Sequence, residues 1–108
     1  MFDNLPGNLQ DMLAQAQSLQ QDLLKAKSEA EHKTVQASSG GGMVTAIVNG
    51  SGVLLNLDIA REVINPDDKE MLQDLIKAAV NEAGRKAKEQ LQVAMSQASG
   101  GLPIGGLF

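Results

Sequence analysis

Between Leu5 and Ala30 the apolar residues fall at Leu5, Leu9, Met12, Ala16, Leu19, Leu23, Ala26 and Ala30, in alternating steps of four and three. That alternation holds one stripe on one side of a helix and follows a heptad for about three and a half repeats. Gln10, Gln15, Gln17, Gln20 and Gln21 fall mostly on the wet side, and Leu13 and Leu24 widen the seam. A long N-terminal helix is predicted, either paired in a coiled coil or lying on a sheet.

The period then changes. His32 to Ala37 is a short β-compatible piece centred on Thr34 and Val35, followed by Ser38, Ser39 and the triplet Gly40, Gly41, Gly42. A glycine triplet can cradle phosphate, but here no Lys-Ser/Thr follows and it leads into a strand, so it is read as a flexible turn. Met43 to Val48 is a continuous β-prone run, and Val53 to Ile59 alternates Val53, Leu55, Leu57 and Ile59 against Leu54, Asn56 and Asp58. Asn49-Gly50-Ser51-Gly52 between them predicts a hairpin whose Asn-Gly supplies the positive φ angles of a primed turn. The four aliphatics of the second strand form one face that helices must cover.

Asn65-Pro66-Asp67-Asp68 marks a second helix, with Asn65 as N-cap, Pro66 at the first helical position and two carboxylates at the positive end of the dipole. Capping accounts for both aspartates without a metal. Leu72, Ile76, Val80, Ala83, Ala87, Leu91, Ala94 and Ala98 carry the helix on for about 30 residues. Ala78, Ala79, Ala83, Gly84 and Ala87 make its middle slim, which suits close approach of another backbone. Gly100 to Phe108 is a Gly-rich tail, so the reading is one domain over 1–99 with a mobile tail over 100–108.

Two helices of roughly 40 and 50 Å outrun strands of about 20 Å, so half of each projects beyond the sheet. A projecting helix with an apolar stripe is marginal unless something covers it. The expected fold is therefore α+β, with a long N-terminal helix, an antiparallel β region and a long C-terminal helix, assembled as a homodimer with projecting arms.

Composition sharpens this. Of 108 residues 43% are nominally hydrophobic, but many are Ala, and the only aromatics, Phe2 and Phe108, sit at the chain ends. A core of such residues is thin, and association is the natural remedy. Cysteine is absent, which removes disulfides, thiolate metal sites and cysteine nucleophiles together. No apolar run suits a membrane span and the opening lacks a signal-peptide pattern, so a cytoplasmic protein is expected.

The single histidine, His32, has no partners for catalysis and suits the C-terminal end of a helix. No pocket of converging titratable groups is foreshadowed, so neither an enzyme, a cofactor nor a small-molecule substrate is expected. The net charge of −4 argues against indiscriminate adhesion to nucleic acid, yet charge is segregated. Lys25, Lys27 and Lys33 gather at the end of the first helix, Lys77, Arg85, Lys86 and Lys88 lie on the second, and Asp67, Asp68, Glu70 and Asp74 crowd its start. Lys77, Asn81, Arg85, Lys88 and Gln92 form one polar stripe able to track phosphates. The competing reading pairs Glu29 with Lys33, Glu82 with Lys86 and Arg85 with Glu89 as solvating i,i+4 contacts.

The run GGGMVTAIVNGSGVLLNLDI, followed by NPDDKEMLQDLIKAAVNEAGRKAKE and ending in GGLPIGGLF, resembles the YbaB/EbfC family of bacterial nucleoid-associated proteins. The likeness covers nearly the whole chain and is most specific in the hairpin and second helix. It implies an α-β-β-β-α subunit with a three-stranded sheet, a tweezer-like homodimer, and binding of duplex DNA that organises the chromosome or modulates expression. It further implies DNA contacts on the arms, which points to Lys25, Lys27, Lys33, Arg85, Lys86 and Lys88. Asp11 and Asp22 and the Gln-rich first helix depart from a basic arm. The alternative is a coiled-coil scaffold or prefoldin-like holdase, which shares the helix–hairpin–helix order and binds no nucleic acid.

Overall fold

The computed structural model describes residues 7–100. A helix α1 (Gly7–His32) leads into strands β1 (Thr34–Ser39), β2 (Val44–Asn49) and β3 (Leu54–Ile59). Two 3₁₀ turns follow, Arg61–Val63 and Pro66–Asp68, and then helix α2 (Lys69–Ala98). The strands form one antiparallel sheet in the order β1-β2-β3. The predicted α+β architecture and the element order are those observed. Leu5 of the first seam and all but Gly100 of the expected tail lie outside the described residues.

One face of the sheet packs on α2. Val44, Ala46 and Val48 alternate inward along β2 and are fully buried with Ala37 of β1, Val63, and the row Ala79, Ala83 and Ala87 of α2. Those alanines let the helix axis come close to the sheet, while Leu72, Leu75, Ile76 and Val80 pack around the margin. The largest fully buried side chains are Val44 and Val48, so the core is as thin as the composition implies. The molecule is correspondingly drawn out. Its extents are 76 × 20 × 19 Å and its radius of gyration is 20.8 Å, against about 13 Å for a compact chain of this length.

The elongation follows from where α2 meets the sheet. Ser39 Oγ at the end of β1 donates to the Leu75 carbonyl (2.6 Å), whereas Lys86 Nζ reaches the Gln36 carbonyl (3.4 Å), so β1 runs against α2 between Leu75 and Lys86. Beyond the sheet α2 packs on α1, whose Ala30 is buried and whose Leu19, Leu23 and Ala26 are half-buried. Residues 10–18 of α1 are exposed throughout, with Met12 at 60%, so that part of the seam is left uncovered by the described residues.

Three local expectations need correction. The β2–β3 turn does not place Asn49 and Gly50 at positive φ; the left-handed residue is Gly52 (φ 88°). Asn49 Oδ1 instead accepts from Ser51 N (3.0 Å), Ser51 Oγ (2.7 Å) and Val53 N (3.0 Å) and holds the turn by its side chain. Gly50 is needed for space: a Cβ there would lie 1.8 Å from the Ala30 carbonyl oxygen, because the turn is seated against the end of α1 with Gly50 N donating to Glu31 O (3.2 Å).

The second correction concerns β3. Its pairing with β2 slips between Ile47 and Val48, placing Leu54 opposite Val48 and leaving Leu55 as an extra residue. Only Leu57 and Ile59 of the expected apolar face pack against the core; Val53 and Leu55 are 55% and 53% exposed. Third, Gly84 has no neighbouring backbone among the described residues: none of them lies within 4 Å of where its Cβ would stand.

At the start of α2 the Asn65 side chain accepts from Asp67 N (3.0 Å) as a cap should, with Pro66 next to it. It closes a 3₁₀ turn, and the α-helix proper begins at Lys69.

Candidate nucleic-acid interface

α1 ends where β1 begins, the β2–β3 turn packs on that end, and α2 passes alongside. The six basic residues singled out from the sequence sit around this elbow. Lys25 and Lys27 lie on the last turns of α1, Lys33 directly after it, and Arg85, Lys86 and Lys88 on α2 as it leaves the sheet; all six are exposed.

They do not form one face. On α1 the packing row runs through Leu19, Leu23, Ala26 and Ala30, which turns Lys25 to the opposite side and leaves Lys27 on a flank. On α2 Arg85 and Lys88 share the outer face, away from the buried row Ala79, Ala83 and Ala87, together with Asn81 and Gln92. Lys86 is about 100° round the axis from Arg85 and bends over the edge of β1 to the Gln36 carbonyl.

Arg85 is the one basic residue engaged in ion pairs among the described residues. Its Nη2 is 2.7 Å from Glu82 Oε1 and its Nη1 is 2.8 Å from Glu89 Oε2. The expected Arg85–Glu89 pair is thus present, but Glu82 pairs with Arg85 and not with Lys86, because Lys86 turns to β1. The hydrogen bond from Arg85 holds the Glu82 carboxyl below its usual range, against slight desolvation. The hydrogen bonds it donates to Glu82 and then to Glu89 push the Arg85 guanidinium higher still. That second carboxylate partner was missed in the sequence, although the i,i+3 spacing from Glu82 to Arg85 carried the signal.

The acidic residues stand apart. Asp67, Asp68, Glu70 and Asp74 surround the beginning of α2, with Lys69 about 24 Å along the helix from Arg85. His32 is at the end of α1, where Nδ1 donates to the Ser28 carbonyl (2.6 Å), one of the last-turn acceptors of the helix. Among the described residues no group of three or more His, Asp or Glu is placed to hold a metal ion, and no helix is long and apolar enough to cross a membrane.

The profile of the YbaB/EbfC DNA-binding family matches residues 6–102. A nucleoid-associated protein of Acetivibrio thermocellus is 47% identical over 108 residues, covering 99% of this chain and 96% of that protein. Another, from Alkaliphilus metalliredigens, is 46% identical over 101 residues, covering 94% of this chain and 89% of its own. Among solved structures, the uncharacterized protein HP0035 from Helicobacter pylori superimposes with a TM-score of 0.59 at 25% identity, over 71% of this chain and 89% of that one. Matched across nearly its whole length in sequence and sharing the fold, the chain belongs to the YbaB/EbfC DNA-binding family.

Proposed function

We propose that this chain is a bacterial nucleoid-associated protein that binds duplex DNA as a homodimer, chiefly through Lys and Arg contacts to phosphates, and by doing so organises the chromosome or modulates expression. The observation that carries this reading is the elbow: six exposed cations around the junction of α1, the sheet and the middle of α2, in a chain of net charge −4 whose densest acidic run lies at the start of α2. Segregation of this kind lets an acidic protein approach a polyanion by one region only. The family match and the names of the relatives support DNA as the polyanion.

No aromatic residue lies among the described ones, so stacking on bases has no platform, and cations on several faces suit a backbone that curves around them better than a single row of base edges. Replacing Arg85, Lys86 and Lys88 together by Ala is expected to weaken binding about tenfold and equally on unrelated duplexes in a gel-shift series. Loss confined to one sequence would mean base readout and would contradict the phosphate mechanism.

The thin core and the exposed apolar residues Val53, Leu54 and Leu55 at the edge of the sheet support pairing with a second copy through β3. Sedimentation equilibrium is expected to give a dimer at micromolar concentration. Leu55→Lys should dissociate it without unfolding the subunit, since Leu55 is outside the core. A folded wild-type monomer at that concentration contradicts the pairing.

Exposure of Met12, Leu13 and Leu24 on α1 favours a second reading, a holdase that grips unfolded clients with the arm. Suppression of a client's aggregation with no retardation of DNA would select it.

A further inference from the structure

The guanidinium of Arg85 is already occupied. Nη2 is 2.7 Å from Glu82 Oε1, Nε is 3.2 and 3.1 Å from the two Glu82 oxygens, and Nη1 is 2.8 Å from Glu89 Oε2. All three of its nitrogens therefore donate to carboxylates, one from the preceding turn and one from the following turn. Guanidinium presents its donors in a planar fork that fits carboxylate and phosphate oxygens alike, so the two glutamates hold the places phosphate oxygens would take. One positive charge against two negative ones leaves the cluster with a net charge of −1. Lys88, on the same outer face, has no ion pair among the described residues.

We propose that Glu82 and Glu89 are a built-in brake on DNA binding: they occupy Arg85 as phosphate mimics, so a phosphate must displace them before Arg85 contributes. This rests on the DNA-binding reading above and adds to it which cation is withheld and by what. The side chains of Glu82, Arg85 and Glu89 are 42%, 59% and 64% exposed, so the exchange needs no unfolding. Surface ion pairs are weak, so the brake lowers affinity modestly and keeps the complex easily reversed.

The test uses the full chain, a labelled random-sequence duplex and fluorescence anisotropy over a salt series. Glu82→Gln/Glu89→Gln is expected to tighten binding about three- to tenfold at low salt and to steepen the log–log salt slope by about 1 per subunit. Adding Arg85→Ala to the glutamine pair should abolish the gain. The single Glu89→Gln variant should show part of the effect, and circular dichroism should show all variants equally helical. A gain that survives removal of Arg85 reports only lost negative charge and overturns the brake, as does an unchanged affinity. If the wild type binds, weakens on Lys25→Ala/Lys88→Ala and ignores the glutamine pair, the brake alone is wrong. If the wild type fails to bind at low salt, the DNA reading falls and the brake with it.

Discussion

Gly50→Ala is a sharp probe of how the arm is joined to the sheet. At a position of negative φ with room around it, this change would stabilise the chain by about 0.4–1 kcal/mol through the unfolded state, and Gly50 has no positive φ. Here the new Cβ would stand 1.8 Å from the Ala30 carbonyl oxygen, 2.5 Å from its carbon and 2.8 Å from Glu31 Cα. All three are backbone atoms, so no side chain can rotate away, and the turn and the end of α1 must separate. Overpacking of this kind costs about 1–3 kcal/mol. The hydrogen bond from Gly50 N to Glu31 O goes with it, a further cost of about 0.5–1.5 kcal/mol. The net expectation is a loss of about 2–3 kcal/mol, the favourable entropy having offset part. Urea unfolding of the full chain at fixed protein concentration, followed by far-UV circular dichroism, measures it. A variant as stable as the wild type, or more stable, refutes the seating of the hairpin on α1.

Asn49→Ala removes the acceptor for Ser51 N, Ser51 Oγ and Val53 N and is expected to cost about 1–2 kcal/mol in the same assay, Asn49→Asp retaining most of the stability. Ala83→Leu forces a branched side chain into a fully buried contact between α2 and β2 and should destabilise by about 2–3 kcal/mol, whereas the same change at exposed Ala78 should lie within about 0.5 kcal/mol of wild type. Because the Glu82 carboxyl is held below its ordinary value in the folded chain, its ion pair contributes stability above the unfolded value and loses it as pH falls through the folded one. Any stability gap between wild type and Glu82→Gln should therefore be largest above the ordinary carboxylate range and close as pH falls through the lowered value; a gap that grows on acidification contradicts the pairing.

The features that depend on periodicity were legible in the sequence. The α2 stripe from Leu72 to Ala98 is buried or half-buried along its length, and Asn65 caps where a residue of its type before Pro66 must. The hairpin was legible but its turn was not, because Asn-Gly suits both a primed turn and the side-chain-closed turn adopted here, and the choice is made by Ala30, distant in sequence. The β3 register was hidden for a similar reason. Alternation alone cannot show a bulge, and Leu55 shifts out of the row only because the strand pairs across Val48 with Leu54. At the elbow, composition identified the cations, but the direction each one takes follows from packing: Lys86 turns to β1 because Ala83 and Ala87 fix the helix face.

Salt-titrated binding to a random duplex bears most directly on the account. With about six phosphates neutralised per dimer, log K is expected to fall with log salt at a slope of about −5, and to do so alike for unrelated sequences. Absence of binding at low salt, or an affinity that does not respond to salt, would contradict an interface built from lysines and arginines on phosphates.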